Sequence, residues 1–311
     1  MAANEFETSA ESTAHSKEEQ DRASWERYLE WRNLVLQFLN SSLSPYHLQH
    51  HRDRVELLKK CYFYLEIEPK HVNVRDQNQV MHYVDILQLI EPCRFQRIKK
   101  VGKTQTEIQL SLLTDLLEQL ERGQEELSRY IETCDMTTFL SQWNFIMQRL
   151  SKLSEFMAKL FSLEVPGKLY VKHHLLSVFT DHGDTRLPEI RVSLCAKVPP
   201  IFDREESFAR TGWAKLKWFT NNQESDLEQY ELHIQLLTNG NPREVGYSRI
   251  QTVLSNTVVV QGLQPGRSYE FIVRRSATNM LVFQKWHDSI TLTSEAHSLE
   301  DAGSSAFAPE G

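Results

Sequence analysis

The stretch MAKLFSLEVPGKLYV, residues 157–171, holds the change of rhythm on which the fold turns. Before it, Phe139, Trp143, Ile146, Leu150, Leu153, Met157 and Leu160 recur at steps of 4, 3, 4, 3, 4, 3. That seven-residue repeat is what a long helix packed along a seam requires. Pro166-Gly167 ends the helix, because proline lacks the amide proton and glycine loses too much freedom. Beyond it the apolar residues alternate, at Leu169 and Val171 and later at Ile190, Val192 and Leu194. Alternation sends successive side chains to opposite faces of a strand. The expected fold class is therefore α+β multidomain, with an N-terminal α-helical bundle and a C-terminal antiparallel β-sandwich.

Upstream, Leu110, Leu113, Leu117, Leu120, Gln124, Leu127 and Ile131 step 3, 4, 3, 4, 3, 4. Thr133 to Asp135 is a short polar break, and Asp135 is placed to cap the helix that follows. Two long helices joined so tightly predict an antiparallel hairpin of coiled-coil character. Gln124 occupies a seam position. Leu112, Leu116, Phe145 and Phe156 widen the apolar stripe, so further helices must cover it and make a bundle. Three candidates precede the hairpin. One carries Trp25, Tyr28, Leu29, Val35, Leu36 and Leu39. A second is predicted over Tyr46–Ile67, from Val55, Leu58, Tyr62 and Leu65. A third is predicted over Asp76–Ile90, from Val80, Val84, Leu87 and Ile90, with Pro92 as its stop. The divisions read as a disordered acidic leader at 1–20, a helical domain at 21–165, linker strands or a hairpin at 166–198, a sandwich at 199–294 and a disordered acidic tail at 295–311.

Charge is unevenly spread. The net −7 gathers over Met1 to Asp21, with six acids against one lysine, and in the tail, with four acids and no base. The body is close to neutral, which gives no case for nucleic acid as a partner. Four cysteines stand far apart, at 61, 93, 134 and 195, with no CxxC pair. They read as free thiols in a reducing compartment. The first residues carry neither a basic segment nor an apolar run, and no stretch is long and apolar enough for a transmembrane segment. Cytoplasmic localisation is the expectation, and the sequon Asn40-Ser41-Ser42 is then incidental.

Past Pro199 short alternating runs follow one another. Ala214, Leu216 and Trp218 form one, Tyr230, Leu232, Ile234 and Leu236 another, and Tyr269, Phe271 and Val273 a third. Turn residues separate them, including Asn239-Gly240-Asn241-Pro242 and Gln264-Pro265-Gly266. Over residues 199–293 this region resembles the fibronectin type III family. Leu263-Gln264-Pro265-Gly266-Arg267-Ser268-Tyr269 is similar to the family's leucine-x-proline-glycine-x-x-tyrosine segment, Trp218 to its second-strand tryptophan and Tyr230 to its third-strand tyrosine. The resemblance implies that Trp218, Tyr230, Leu263, Pro265, Gly266 and Tyr269 form the structural core of the sandwich. It brings no catalytic residue and no intersheet disulfide. One departure stands out. Arg275 takes the place of a small inward residue, and the asparagine that normally follows arrives late, at Asn279. A bulge or a longer sixth strand is the expected remedy.

Constellations that suggest chemistry are weak. Val101-Gly102-Lys103-Thr104 ends like a phosphate-binding loop, but Arg97 stands where that motif needs its first glycine. His47, His50 and His51 have helical spacing for a metal, yet no cysteine or carboxylate completes a set, and a solvent-facing stripe is the expectation. No Gly-x-Ser-x-Gly elbow occurs. No catalytic residue, metal ligand or cofactor is therefore expected. What remains is surface. Arg94, Arg97, Lys99, Lys100 and Lys103 form a basic cluster read as a loop, suited to an acidic partner, an anionic membrane or the chain's own acidic ends. Lys215 and Lys217 face outward from a predicted strand. The expected function is intracellular protein–protein interaction as an adaptor, scaffold or structural protein, with self-association through the helical hairpin. The alternative is an extracellular or cell-surface adhesion module.

Overall fold

The computed structural model describes residues 5–75, 80–164, 190–220, 229–237, 247–276 and 278–296. In chain order the elements are α1 (Glu5–Asn40), α2 (Pro45–Lys60), β1 (Tyr62–Glu68), β2 (His71–Arg75), β3 (Met81–Asp85), α3 (Ile86–Leu89), α4 (Pro92–Thr133), α5 (Met136–Ser141) and α6 (Trp143–Glu164). Then come β4 (Arg191–Lys197), β5 (Ile201–Phe202), β6 (Phe208–Arg210), β7 (Trp213–Phe219), β8 (Tyr230–Leu236), β9 (Ser248–Val253), β10 (Thr257–Gln261), β11 (Ser268–Arg275), β12 (Leu281–Phe283) and β13 (Asp288–Thr293). They form two compact units. One comprises residues 1–56 and 107–165, the other residues 57–106 and 166–311.

The first unit is the helical hairpin with its cover. Leu113, Leu117, Leu120 and Leu127 of α4 are buried, as are Phe139, Ile146, Leu150, Leu153, Met157 and Leu160. Arg149 pairs with Glu126 at 2.8 Å, and the Gln109 side chain donates to the Leu163 carbonyl, so α4 and α6 run antiparallel. Asp135 caps α5 as its spacing predicts, accepting from the Thr138 amide at 3.4 Å. Gln124 is only half-buried. The close approach is at its neighbour Gly123, where an added Cβ would lie 2.3 Å from Leu153 Cδ2. Helix α1 covers the hairpin with aromatic rings. Trp31 stacks on Trp143 at 4.3 Å, and Tyr28 meets Phe139 edge-on at 5.4 Å. The acidic leader is helical from Glu5, not irregular as its composition suggests. Its Ala, Glu, Lys and Gln residues are good helix formers.

The second unit contains a sandwich and something the alternation did not reveal. One sheet has the order β10-β7-β5, with β6 also on β7, and the other β13-β11-β8-β9. Trp218, Tyr230, Leu263, Tyr269 and their neighbours form one apolar core between them. The Tyr269 hydroxyl accepts from the Gln264 amide at 2.8 Å, closing the corner that the motif anticipates. Gly266 takes a φ of 71°, which favours glycine. Pro265 and Gly266 are exposed, so they shape the turn and are not part of the core.

A third sheet, β12-β1-β4, draws its central strand from far upstream. The second predicted helix ends at Lys60, and Tyr62–Glu68 is strand, not helix. Tyr62 and Leu65 fit a helical step, but Phe63, Leu65 and Ile67 fit alternation equally, and pairing decides. Seven residues of β1 are in register with β4, from Tyr62↔Lys197 to Glu68↔Arg191. The third predicted helix is also corrected. Its described part is strand β3, which pairs with β2 just upstream, followed by the single turn α3, while residues 76–79 lie outside the described residues. Val80, placed inward by the helical reading, is 52% exposed. Of the segment at 166–198, residues 166–189 lie outside the described residues. The remainder forms β4, which pairs with β1 in the third sheet.

Candidate interaction surfaces

The basic cluster is helical. Pro92 does not stop a helix but begins α4, at the position where a missing amide proton costs nothing. One side of its first turns lies on the third sheet. Ile98 is buried, and at Gly102 an added Cβ would meet Leu194 at 3.3 Å, Leu65 at 3.4 Å and Val282 at 3.6 Å. Side chains recurring every three residues then emerge on the other side: Arg97, Lys100 and Lys103 are all exposed. Arg94 is engaged with Glu91 at 3.2 Å, and the Lys99 ammonium sits 6.0 Å from the centre of the Phe95 ring. Arg97, Lys100 and Lys103 make no ion pair among the described residues. Three of the five cations therefore form an outward basic face on a supported helix.

Lys215 and Lys217 do point outward from β7, but both are satisfied. Lys217 pairs with Glu206 at 2.5 Å and Asp203 at 3.6 Å, and Lys215 with Glu206 at 3.6 Å. The hydrogen bond with Glu206 raises the Lys217 pKa, and its counterpart lowers that of Glu206. A partner would have to displace these carboxylates. The histidine stripe is divided: His51 is buried with its ring 4.9 Å from Phe161, whereas His47 is exposed and bonded to Ser44 at 2.7 Å. His51 is thus a packing residue, which corrects the solvent-facing expectation for that position. The adjacent pair His173-His174, which a strand would send to opposite faces and so keep from sharing a metal, lies outside the described residues. Among the described residues no cluster of three metal-ligating side chains occurs, and no helix is long and apolar enough to cross a membrane.

Sequence reasoning flagged Arg275 without seeing its purpose. Strand β11 has no bulge there; its register runs unbroken to Arg275↔Tyr230. The side chain is 7% exposed, and its Nε donates to the Val198 carbonyl at 3.0 Å. It stands beside Cys61 and Tyr62 at the start of β1. Burial pushes the Cys61 thiol up to about 11 and the Tyr62 phenol up to about 12, with Arg275 partly opposing both shifts. After Arg275, the connection between the last two sandwich strands becomes β12. Phe283 pairs with Phe63 and Leu281 with Tyr64, and the Leu65 amide donates to the Met280 carbonyl at 2.8 Å. The late Asn279 was the only trace of this in the sequence. A cleft of about 650 Å³ opens beside β1, lined by Tyr64, Glu66, His71, Asp85, Lys197 and Arg275 among others. Its charges are mixed in sign and select no single class of ligand.

The fold defines a helical hairpin joined to a fibronectin type III-like sandwich. The family model for a family of unknown function (DUF5581), N-terminal domain, matches residues 21–192, and that for its Fn3-like domain matches residues 197–301. The chain belongs to this family. It is 44% identical over 268 residues to fibronectin type III domain-containing protein 11 of Bos taurus, covering 86% of this chain and 80% of that one. The Homo sapiens protein of the same name is 42% identical over 276 residues, covering 89% and 86%. Among solved structures, the FN5 domain of Drosophila Lar covers 32% of this chain and 99% of its own at 16% identity, with a TM-score of 0.24, too slight a likeness to argue from.

Proposed function

We propose that the chain is a cytoplasmic adaptor or structural protein that works by binding other proteins and carries out no catalysis. The observation that supports this reading is the basic face of α4. Arg97, Lys100 and Lys103 project from a helix whose opposite side is fixed on a sheet, and none has an ion-pair partner among the described residues. Such a face attracts an acidic segment of a partner over a range of about a Debye length, and its rigidity lowers the ordering cost of binding. The test is proximity labelling in native cells with the full chain, compared with the triple variant Arg97→Glu, Lys100→Glu, Lys103→Glu. The expected result is a set of cytoplasmic neighbours, part of which is lost on charge reversal. An identical set from both proteins refutes the role given to α4. A glycan at Asn40 in the cell-derived protein refutes the cytoplasmic placement and turns the reading towards adhesion.

A further inference from the structure

Strand β9 ends its sheet, and its sequence guards that edge with a single charge. The Leu236 amide donates to the Tyr247 carbonyl at 2.9 Å. Residues in step with that pair, Ile234–Arg249, Leu232–Gln251 and Tyr230–Val253, therefore exchange the hydrogen bonds between β8 and β9. The other side of β8 agrees: the Leu237 amide donates to the Ser268 carbonyl at 2.9 Å, which assigns its odd-numbered residues to β11. It follows that the backbone groups of Ser248, Ile250 and Thr252 point away from the sheet. No strand lies on that side among the described residues. Edge strands are ordinarily blunted by charged residues, lysine above all, by proline or by a bulge. Ser248-Arg249-Ile250-Gln251-Thr252-Val253 has one charge, Arg249, and no lysine or proline, and its register with β8 is regular. Ile250 is 61% exposed at its centre, and Leu254 just beyond is 59% exposed.

We propose that β9 pairs antiparallel with β9 of a second copy of this chain, across a two-fold axis through Ile250. The strand is its own complement in that register. Ile250 meets Ile250 of the second copy. Ser248 stands opposite Thr252 at both ends, a hydroxyl pair that sheets favour. The one charge, Arg249, stands opposite Gln251, so no like charges face each other. The three outward residues of each copy supply about six backbone hydrogen bonds, and the two four-stranded sheets become one continuous sheet. Two strands alone make a weak interface, and the exposed Ile250 pair adds apolar area on the outer face. This pairing is independent of the basic face of α4, so either can fail without the other.

The experiment uses the full chain. Sedimentation velocity up to about 100 μM should show a dimer that strengthens with concentration, and Ile250→Lys should weaken it at least about tenfold. Because Ile250 is exposed, an unchanged circular dichroism melt will show that this variant still folds. Register is tested by oxidation. Ile250→Cys places two thiols opposite each other and should give a covalent dimer beyond any formed by the native cysteines. Thr252→Cys places them about 13 Å apart and should give none. A monomer throughout the concentration range, a dimer indifferent to Ile250→Lys, or equal cross-linking by Thr252→Cys overturns the proposal.

Discussion

Raising the pH from 9 to 11 should weaken the unit built around β1 by about 3 kcal/mol through Cys61 and Tyr62 alone. Both side chains are buried, at 3% and 0% exposure. Burial moves Cys61 from its ordinary 9.0 to about 11 and Tyr62 from 10.0 to about 12. Each group is neutral when protonated, and the fold disfavours its anion. The stabilisation is therefore complete below the unfolded values and is lost as pH rises through the folded ones. By linkage, Cys61 contributes about 2 kcal/mol of the loss over this interval and Tyr62 about 1 kcal/mol. Lysine and tyrosine side chains in general ionise in this range, so the measurement is a difference. Urea unfolding followed by tryptophan fluorescence at pH 9, 10 and 11 would compare the wild type with the double variant Cys61→Ala, Tyr62→Phe. The Tyr62 hydroxyl meets no partner at hydrogen-bonding geometry, although Gln284 lies near it, so phenylalanine is a gentle replacement. The variant should lose about 3 kcal/mol less across the interval. Equal losses in the two proteins would refute the claim that these groups are held neutral by burial.

Two further outcomes test the helical unit and the sandwich. Gly123→Ala gains about 1 kcal/mol in helix propensity, but its Cβ would sit 2.3 Å from Leu153 Cδ2, and overpacking costs about 1–3 kcal/mol. A net loss of about 1 kcal/mol is expected in urea unfolding, with Leu153→Ala costing less in the Gly123→Ala background than alone. Asp288 is 6% exposed, accepts from the Phe202 amide at 2.8 Å and pairs with Arg204 at 2.8 Å. Asp288→Ala leaves that amide without its acceptor and should cost about 2–3 kcal/mol, read as a lower melting temperature.

The sequence disclosed what local spacing can disclose. The seam from Leu110 to Leu160 and the corner at Tyr269 each follow from residues close together in the chain, and both are present. Strand β1 was illegible for a physical reason. Val55, Leu58, Tyr62 and Leu65 satisfy a helical step, and Phe63, Leu65 and Ile67 satisfy alternation. The deciding partners, Val192 to Lys197 and Leu281 to Phe283, are distant in sequence, and no local pattern encodes them. The basic cluster was visible as composition, but its helical presentation depends on Gly102 lying against Leu65 and Leu194. Arg275 was legible as an anomaly; its meaning required the Val198 carbonyl and the two buried groups beside it. The open edge at β9 needed the hydrogen-bond parity of β8, which only coordinates supply.

The late arrival of β12 has a consequence for how the chain is made. Strand β1 leaves the ribosome more than two hundred residues before Phe283 does, which at cellular synthesis rates is a wait of about 10–40 s. Throughout it, Tyr62, Phe63 and Leu65 form a sticky strand without its final neighbour, open to capture by chaperones or by other nascent chains. A fragment cut at the sandwich boundary inherits the opposite defect: Leu281–Phe283 would be left with no strand to receive it.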